Sequence, residues 1–82
     1  MSTAHGDEHD RNLVKMANQI AMFFEAQSGP KAPADVADHL RKFWDPRMRK
    51  AIVAYANDGG DGLREVAARA VALLAAPPKA VS

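Results

Sequence analysis

The sequence predicts an all-α fold, a small bundle of four short helices with tight turns, on three observations. Apolar residues recur at steps of three and four through four segments. No segment alternates at the strand period of two. Glycine and proline clusters fall between the segments rather than inside them.

The first segment, "DRNLVKMANQIAMFFEAQ" at 10–27, puts Leu13, Met16, Ala17, Ile20, Phe23, Phe24 and Gln27 on one stripe, with Asp10 as the expected N-cap. Two adjacent phenylalanines cannot both point along the centre of a stripe, so one of Phe23 and Phe24 is expected to be partly exposed. "SGPKAP" at 28–33 interrupts this helix with a glycine and two prolines. In "ADVADHLRKFW" at 34–44, Val36, Ala37, Leu40, Phe43 and Trp44 face one way, and Asp35, Asp38, His39, Arg41 and Lys42 the other. This second helix must stop near Trp44, because proline pushes the residue before it out of the helical region. That residue is Asp45, whose extended backbone suits an N-cap, and Pro46 suits the first position of a third helix. Met48, Ala51, Ile52, Tyr55 and Ala56 form the third helix's inner stripe. It ends at "NDGGDG", 57–62, where Gly59 or Gly60 can take the left-handed conformation. Asp61 is the expected cap of a fourth helix striped by Leu63, Val66, Ala67, Ala70, Val71 and Leu74, which Pro77-Pro78 stops. The resulting division is a mobile acidic tail at 1–9, a helical domain at 10–76 and a C-terminal tail at 77–82.

With 82 residues the chain is one domain at most. Many stripe positions are alanine, which lets helices approach but buries little area, so the core is expected to be marginal and a partner covering part of the surface would help. The absence of cysteine excludes disulfides, thiolate metal sites, iron–sulfur ligation and a thiol nucleophile, and fits a reducing compartment. A formal net charge of +1 implies no general attraction to nucleic acid or anionic membrane. "MSTAHGDEHD" has neither the basic nor the apolar region of a secretory signal, and no apolar run approaches a membrane span, so a soluble cytoplasmic protein is expected.

Charge is concentrated locally. Between 41 and 50 stand Arg41, Lys42, Arg47, Arg49 and Lys50 against Asp45 alone. In "FWDPRMRK", 43–50, the arginines lie on the first turns of a helix, whose positive dipole end favours carboxylates by a few tenths of a kcal/mol or more. Trp44 and Arg49 occupy the two positions of a hydrophobic staple, so the indole could carry the guanidinium in a cation–π contact of about 0.5–1 kcal/mol. Arg47 and Lys50 have no such explanation, and a local rule broken without compensation points to a binding surface. Arginine and tryptophan are also enriched at interface hot spots. Phe43, Trp44, Asp45, Arg47, Arg49 and Lys50 are therefore the candidate partner-binding residues.

Other motifs read as structural. His5 and His9 have helical metal-ligand spacing, but in an acidic tail they read as a solvated run. His39, one turn after Asp35, reads as half of an exposed ion pair. "NDGGDG" lacks both the acid spacing of an EF-hand and the GK[ST] ending of a P-loop, and reads as a turn. Ser2, Ser28 and Ser82 fall in loops or tails, so no nucleophile–base–acid set converges and no enzymatic function is expected.

"LVKMANQIAMFF" at 13–24, "ADHLRKFWDPRMR" at 37–49 and the Gly-Gly-x-Gly-Leu turn at 59–63 resemble the delta subunit of the soluble, NAD-dependent, molybdenum-containing formate dehydrogenases. The likeness runs over about residues 11–74, and its specific part is Phe-Trp-Asp-Pro-Arg-Met-Arg. The resemblance implies a small accessory subunit without a redox centre or cofactor of its own, which assists assembly, stability or cofactor loading. Its implied partner is the large alpha subunit, which holds the bis-molybdopterin guanine dinucleotide and iron–sulfur clusters. Beta and gamma subunits carry electrons onward through clusters and FMN to NAD. The alternative from another class is a small helix-turn-helix-like DNA-binding module, since two helices meet at a corner and the second begins with basic residues. The near-neutral charge and the acid and proline at that helix start speak against it.

Overall fold

The computed structural model describes residues 7–75. The helical period of the sequence becomes α1 (Asp7–Ser28), α2 (Ala32–Phe43), α3 (Pro46–Asn57) and α4 (Glu65–Ala75), with a single 3₁₀ turn, Gly29–Lys31, between the first two. The all-α expectation holds, and the described residues contain no strand. α2 packs most extensively on α4, and α1 touches all three other helices.

α1 does not begin at Asp10. Helix is already present at Asp7, and Asp10 lies inside it. Part of the stretch expected as tail is therefore helical, because Asp and Glu are favoured in a first turn even without an apolar stripe. The buried face of α1 is also rotated from the expected one. Leu13, Val14, Ala17 and Ala21 are buried, whereas Met16, Met22 and Phe23 are exposed and Ile20 and Phe24 only partly covered. A helix touching three neighbours is covered over a wide arc, and the side carrying Ala17 and Ala21 lets their backbones come close. Of the phenylalanine pair, Phe23 is the exposed member.

Gly29 takes φ +55°, a left-handed conformation that side chains resist, and starts the 3₁₀ turn that redirects the chain into α2. Ser28 Oγ donates to Asp35 Oδ2 at 2.5 Å across this turn. Asp35 is thus held by Ser28 and not by His39, which instead lies between two phenylalanine rings.

Val36, Ala37, Leu40 and Trp44 meet Ala67, Ala70 and Val71 of α4 and Ile52 of α3 in one core. Leu40 and Ile52 are fully enclosed, each contributing about 1.5–3 kcal/mol by leaving water. Phe43 is not in this core. Its position on α2 is one step off the centre of the stripe, and its ring points outward.

α3 ends with Gly59 and Gly60 at positive φ, and the Gly60 N–H donates to Tyr55 O at 3.0 Å. A Cβ at Gly60 would make only ordinary contact with the Cα of Ala56 at 3.4 Å, so it is the left-handed conformation, φ +62°, that selects glycine there. α4 is not capped by Asp61, whose carbonyl instead accepts from the Tyr55 hydroxyl. The chain makes a further turn, and Arg64 becomes the residue whose carbonyl accepts the first helical bond, from Ala68 N–H. The Arg64 N–H is held from another helix, by Asn18 Oδ1 at 2.9 Å, while Asn18 Nδ2 donates to Gly62 O at 2.9 Å. The proline pair expected to stop α4, and the tail after it, lie outside the described residues.

Candidate functional site

The corner between α2 and α3 follows from Asp45 and Pro46. Asp45 is extended at φ −77°, ψ 168°, and its Oδ1 accepts from the Met48 N–H at 2.9 Å. Such a cap is worth about 1 kcal/mol. Trp44 leaves α2 in the extended region at φ −92°, ψ 141° while its N–H still donates to Leu40 O at 3.0 Å. Its ring turns inward and is 5% exposed. Phe43, immediately before it, is 71% exposed.

Arg49 has a role different from the expected stacking on Trp44. Its Nη1 donates to the carbonyls of Trp44 and of Arg41, the latter at 3.2 Å. Both lie at the C-terminal end of α2, where unpaired carbonyls carry the negative end of the helix dipole. The first turns of α3 and the last turn of α2 share the corner, so a cation uphill against one helix is downhill against the other. Arg41 repeats the device at a second helix end, its Nη2 donating to Leu73 O of α4 at 3.2 Å.

These arginines border an open groove of about 670 Å³ running along α3 and closed on its far side by α4 at Leu74. Arg41, Arg49 and Lys50 form its basic rim, Pro46, Val53, Ala54 and Leu74 its apolar surface, and Asn57 its far end. Among the described residues no carboxylate lines it. Carbonyl bonds engage one nitrogen each of Arg41 and Arg49, and neither guanidinium pairs with a carboxylate among the described residues. Among the described residues Arg47 and Lys50, both exposed, make no hydrogen bond or ion pair. Elsewhere cations do meet acids, as in Lys42–Asp38 at 3.1 Å and Arg69–Glu65 at 2.9 Å.

A second surface lies beside the corner. Phe23, Phe24, His39 and Phe43 form a chain of rings across α1 and α2, with successive centroids 5.1, 6.0 and 4.7 Å apart. Its two end rings, Phe23 and Phe43, are the exposed ones.

Of the sequence-predicted residues, then, Arg49 and Lys50 come together on the groove, and Phe43 joins the ring chain. Arg47 has no partner among the described residues at the start of α3, while Asp45 and Trp44 hold the corner in place. Sequence reasoning did not include Arg41, Val53, Ala54, Asn57 and Leu74. Arg41 sits in the same basic run, and Pro46, Lys50, Val53, Ala54 and Asn57 fall at helical steps along α3, so part of that signal was present. His9 approaches Asp10 at 3.9 Å, and no group of three or more potential metal ligands exists among the described residues. His5 lies outside them. No helix among the described residues is long and apolar enough to cross a membrane.

A family model described as "NADH-dependant formate dehydrogenase delta subunit FdsD" matches residues 12–71. The chain belongs to that family. Neither a curated protein nor a solved structure matches the chain. The delta-subunit match takes in α2, the whole corner and α3, and it ends at Val71, three residues before Leu74 on the groove. As a formate dehydrogenase subunit, the chain works in a complex with other subunits of that enzyme.

Proposed function

We propose that the chain is a non-catalytic accessory subunit that docks on the large, molybdenum-cofactor-binding chain of formate dehydrogenase in the cytoplasm and assists assembly, stability or cofactor loading. The delta-subunit family supports the enzyme assignment. The observation that carries the docking reading is the α2–α3 corner. There a buried Trp44 holds the turn from which Phe43 points outward on one side, while Arg47, Arg49 and Lys50 on the first turns of α3 meet no carboxylate of the described residues. Exposed phenylalanine and arginine without an ion-pair partner are residue types enriched at interfaces. Trp44 and Asp45 act in this reading as supports, and Phe43 and the cations as the contacting groups.

The helix-turn-helix alternative is less favoured. It would carry the first turns of α3 into a DNA groove, yet the Arg49 guanidinium is folded back on α2. Arg47 and Lys50 alone would remain for phosphates, too few for tight binding.

The test is co-expression of the formate dehydrogenase subunits with and without this chain, and with Phe43→Ala combined with Arg47→Glu. The expected result is that omission lowers the yield of formate-oxidising complex, and that the double variant, itself folded, no longer co-purifies with the large chain. Undiminished assembly, activity and co-purification in every case would overturn the reading.

A further inference from the structure

We infer that the groove along α3 is the seat of an amphipathic helix from another subunit, one with an apolar face and carboxylates at the end that meets Arg41, Arg49 and Lys50. The inference rests on the accessory-subunit reading and adds to it the place and chemistry of the contact.

Charge argues for an acidic occupant. Among the described residues the rim carries three cations and no acid, and the bonds from Arg41 and Arg49 go to backbone carbonyls, which bear no full charge. Carboxylates from outside would find those charges uncompensated, beside apolar surface that lowers the local dielectric. The chain's own C-terminal segment, 77–82, is a poor candidate because its one charged side chain is Lys79.

Shape argues for a helix over a small anion. Sites for small molecules enclose most of the ligand surface, whereas this groove is open. Pro46, Lys50, Val53 or Ala54, and Asn57 recur at every turn of α3, marking a strip roughly 16 Å long at 1.5 Å per residue. That is about three turns of a facing helix, more than enough for the roughly two turns that anchors at i, i+3 or i+4, and i+7 occupy in helix-in-groove recognition. The strip offers apolar contact at Val53, Ala54 and Leu74 and ionic contact at one end, so it fixes direction as well as position.

The experiment is zero-length carbodiimide coupling in the purified formate dehydrogenase complex, read by mass spectrometry, with Lys50 as the reporting amine. Lys50 is expected to join an Asp or Glu in a helical segment of another subunit. Lys50→Glu is expected to weaken association about tenfold. Ala54→Glu is expected to weaken it further, since it sets a carboxylate on the groove and offers Lys50 an internal partner one turn away. Both positions are exposed, so the free proteins should melt as the wild type does. Coupling of Lys50 only within this chain or to a second copy of it would overturn the inference. So would full affinity in both groove variants when Phe43→Ala alone abolishes association; docking would then use the ring chain, and the accessory reading would survive. Failure of the wild-type chain to associate with any formate dehydrogenase subunit would remove both.

Discussion

Between α1 and α4 every polar group named above finds its answer within the chain. Asn18 donates to Gly62 and accepts from Arg64, and Glu25 takes two hydrogen bonds from the Arg64 guanidinium, from Nε at 3.1 Å and Nη2 at 2.8 Å. Around the groove along α3 the cations are left half-answered. Arg41 and Arg49 close helix ends without meeting an opposite charge, and Lys50 and Arg47 meet nothing among the described residues. The contrast separates two uses of polar chemistry. Where donors, acceptors and charges are all matched internally, the residues set the geometry of the bundle. Where geometry is satisfied but charge is not, the remainder is available to another molecule.

The largest effect that would sharpen this division is at adjacent residues. Trp44→Ala removes a ring that is almost wholly enclosed and is expected to cost about 3–5 kcal/mol, enough to unfold much of an 82-residue chain. Phe43→Ala, one residue earlier but facing outward, is expected to stay within about 0.5 kcal/mol in the isolated protein. Urea unfolding followed by far-UV circular dichroism measures both. Equal costs would mean that Phe43 is a core residue and that the exposed face has no separate purpose.

Next in size is Asn18→Ala. Both bonds of that amide bridge residues more than forty positions apart, and its loss strips α4 of its N-terminal partner at a cost of about 1–2 kcal/mol. Lys50→Ala on the groove is the matched control, expected to leave the unfolding midpoint unchanged. A comparable loss from Lys50→Ala would show that the groove, too, is internally employed.

Arg49 belongs to both regions and tests the boundary between them. Arg49→Gln is expected to lose about 0.5–1.5 kcal/mol with the carbonyls of α2 left to water, and to weaken association with the partner through the lost charge. Arg49→Lys should restore much of the charge effect but little of the stability, because a single ammonium does not reproduce the guanidinium fork. If lysine rescues both or neither, the two roles are not separable.

How much of this was legible in the sequence depended on how local the cause is. Asp45, Pro46 and the buried stripe of α2 were readable because a cap and a proline act on their immediate neighbours and the stripe repeats every turn. The helical start before Asp10 was missed because an acidic first turn carries no apolar period. Phe43 was assigned to the wrong face, since it lies one position from the stripe and only packing decides such marginal cases. Asp61 looked like a cap by type, but the turn ran three residues further, and the partner of α4 proved to be Asn18 on another helix. Such a tertiary cap leaves no mark at the position it serves. Arg49 was recognised as out of place for α3 alone. Its explanation required knowing that the end of α2 folds within reach, which dipole arguments on a single helix cannot supply.

The smallest expected effect is a pH dependence at the α1–α4 seam. The hydrogen bonds from Arg64, with its charge as a further cause, hold the Glu25 carboxyl below its ordinary value of 4.5, against a weaker opposing effect of burial. A carboxyl with a depressed folded-state value binds its proton less readily in the folded chain than in the unfolded one. Its contribution is therefore complete above the unfolded value near 4.5 and disappears as pH falls through the lower, folded value. The upward displacement of Arg64 lies far on the alkaline side and does not enter this window. Glu25→Gln keeps a hydrogen-bond acceptor for Arg64 but removes the titration. Its urea midpoint is expected to fall less steeply than that of the wild type as pH drops from just above 4.5, with convergence at the acid end. Because the pair is partly exposed, added salt should shrink the difference. Identical acid slopes in the two proteins would mean that water answers Glu25 as well as Arg64 does, and the seam would then differ from the groove in geometry alone.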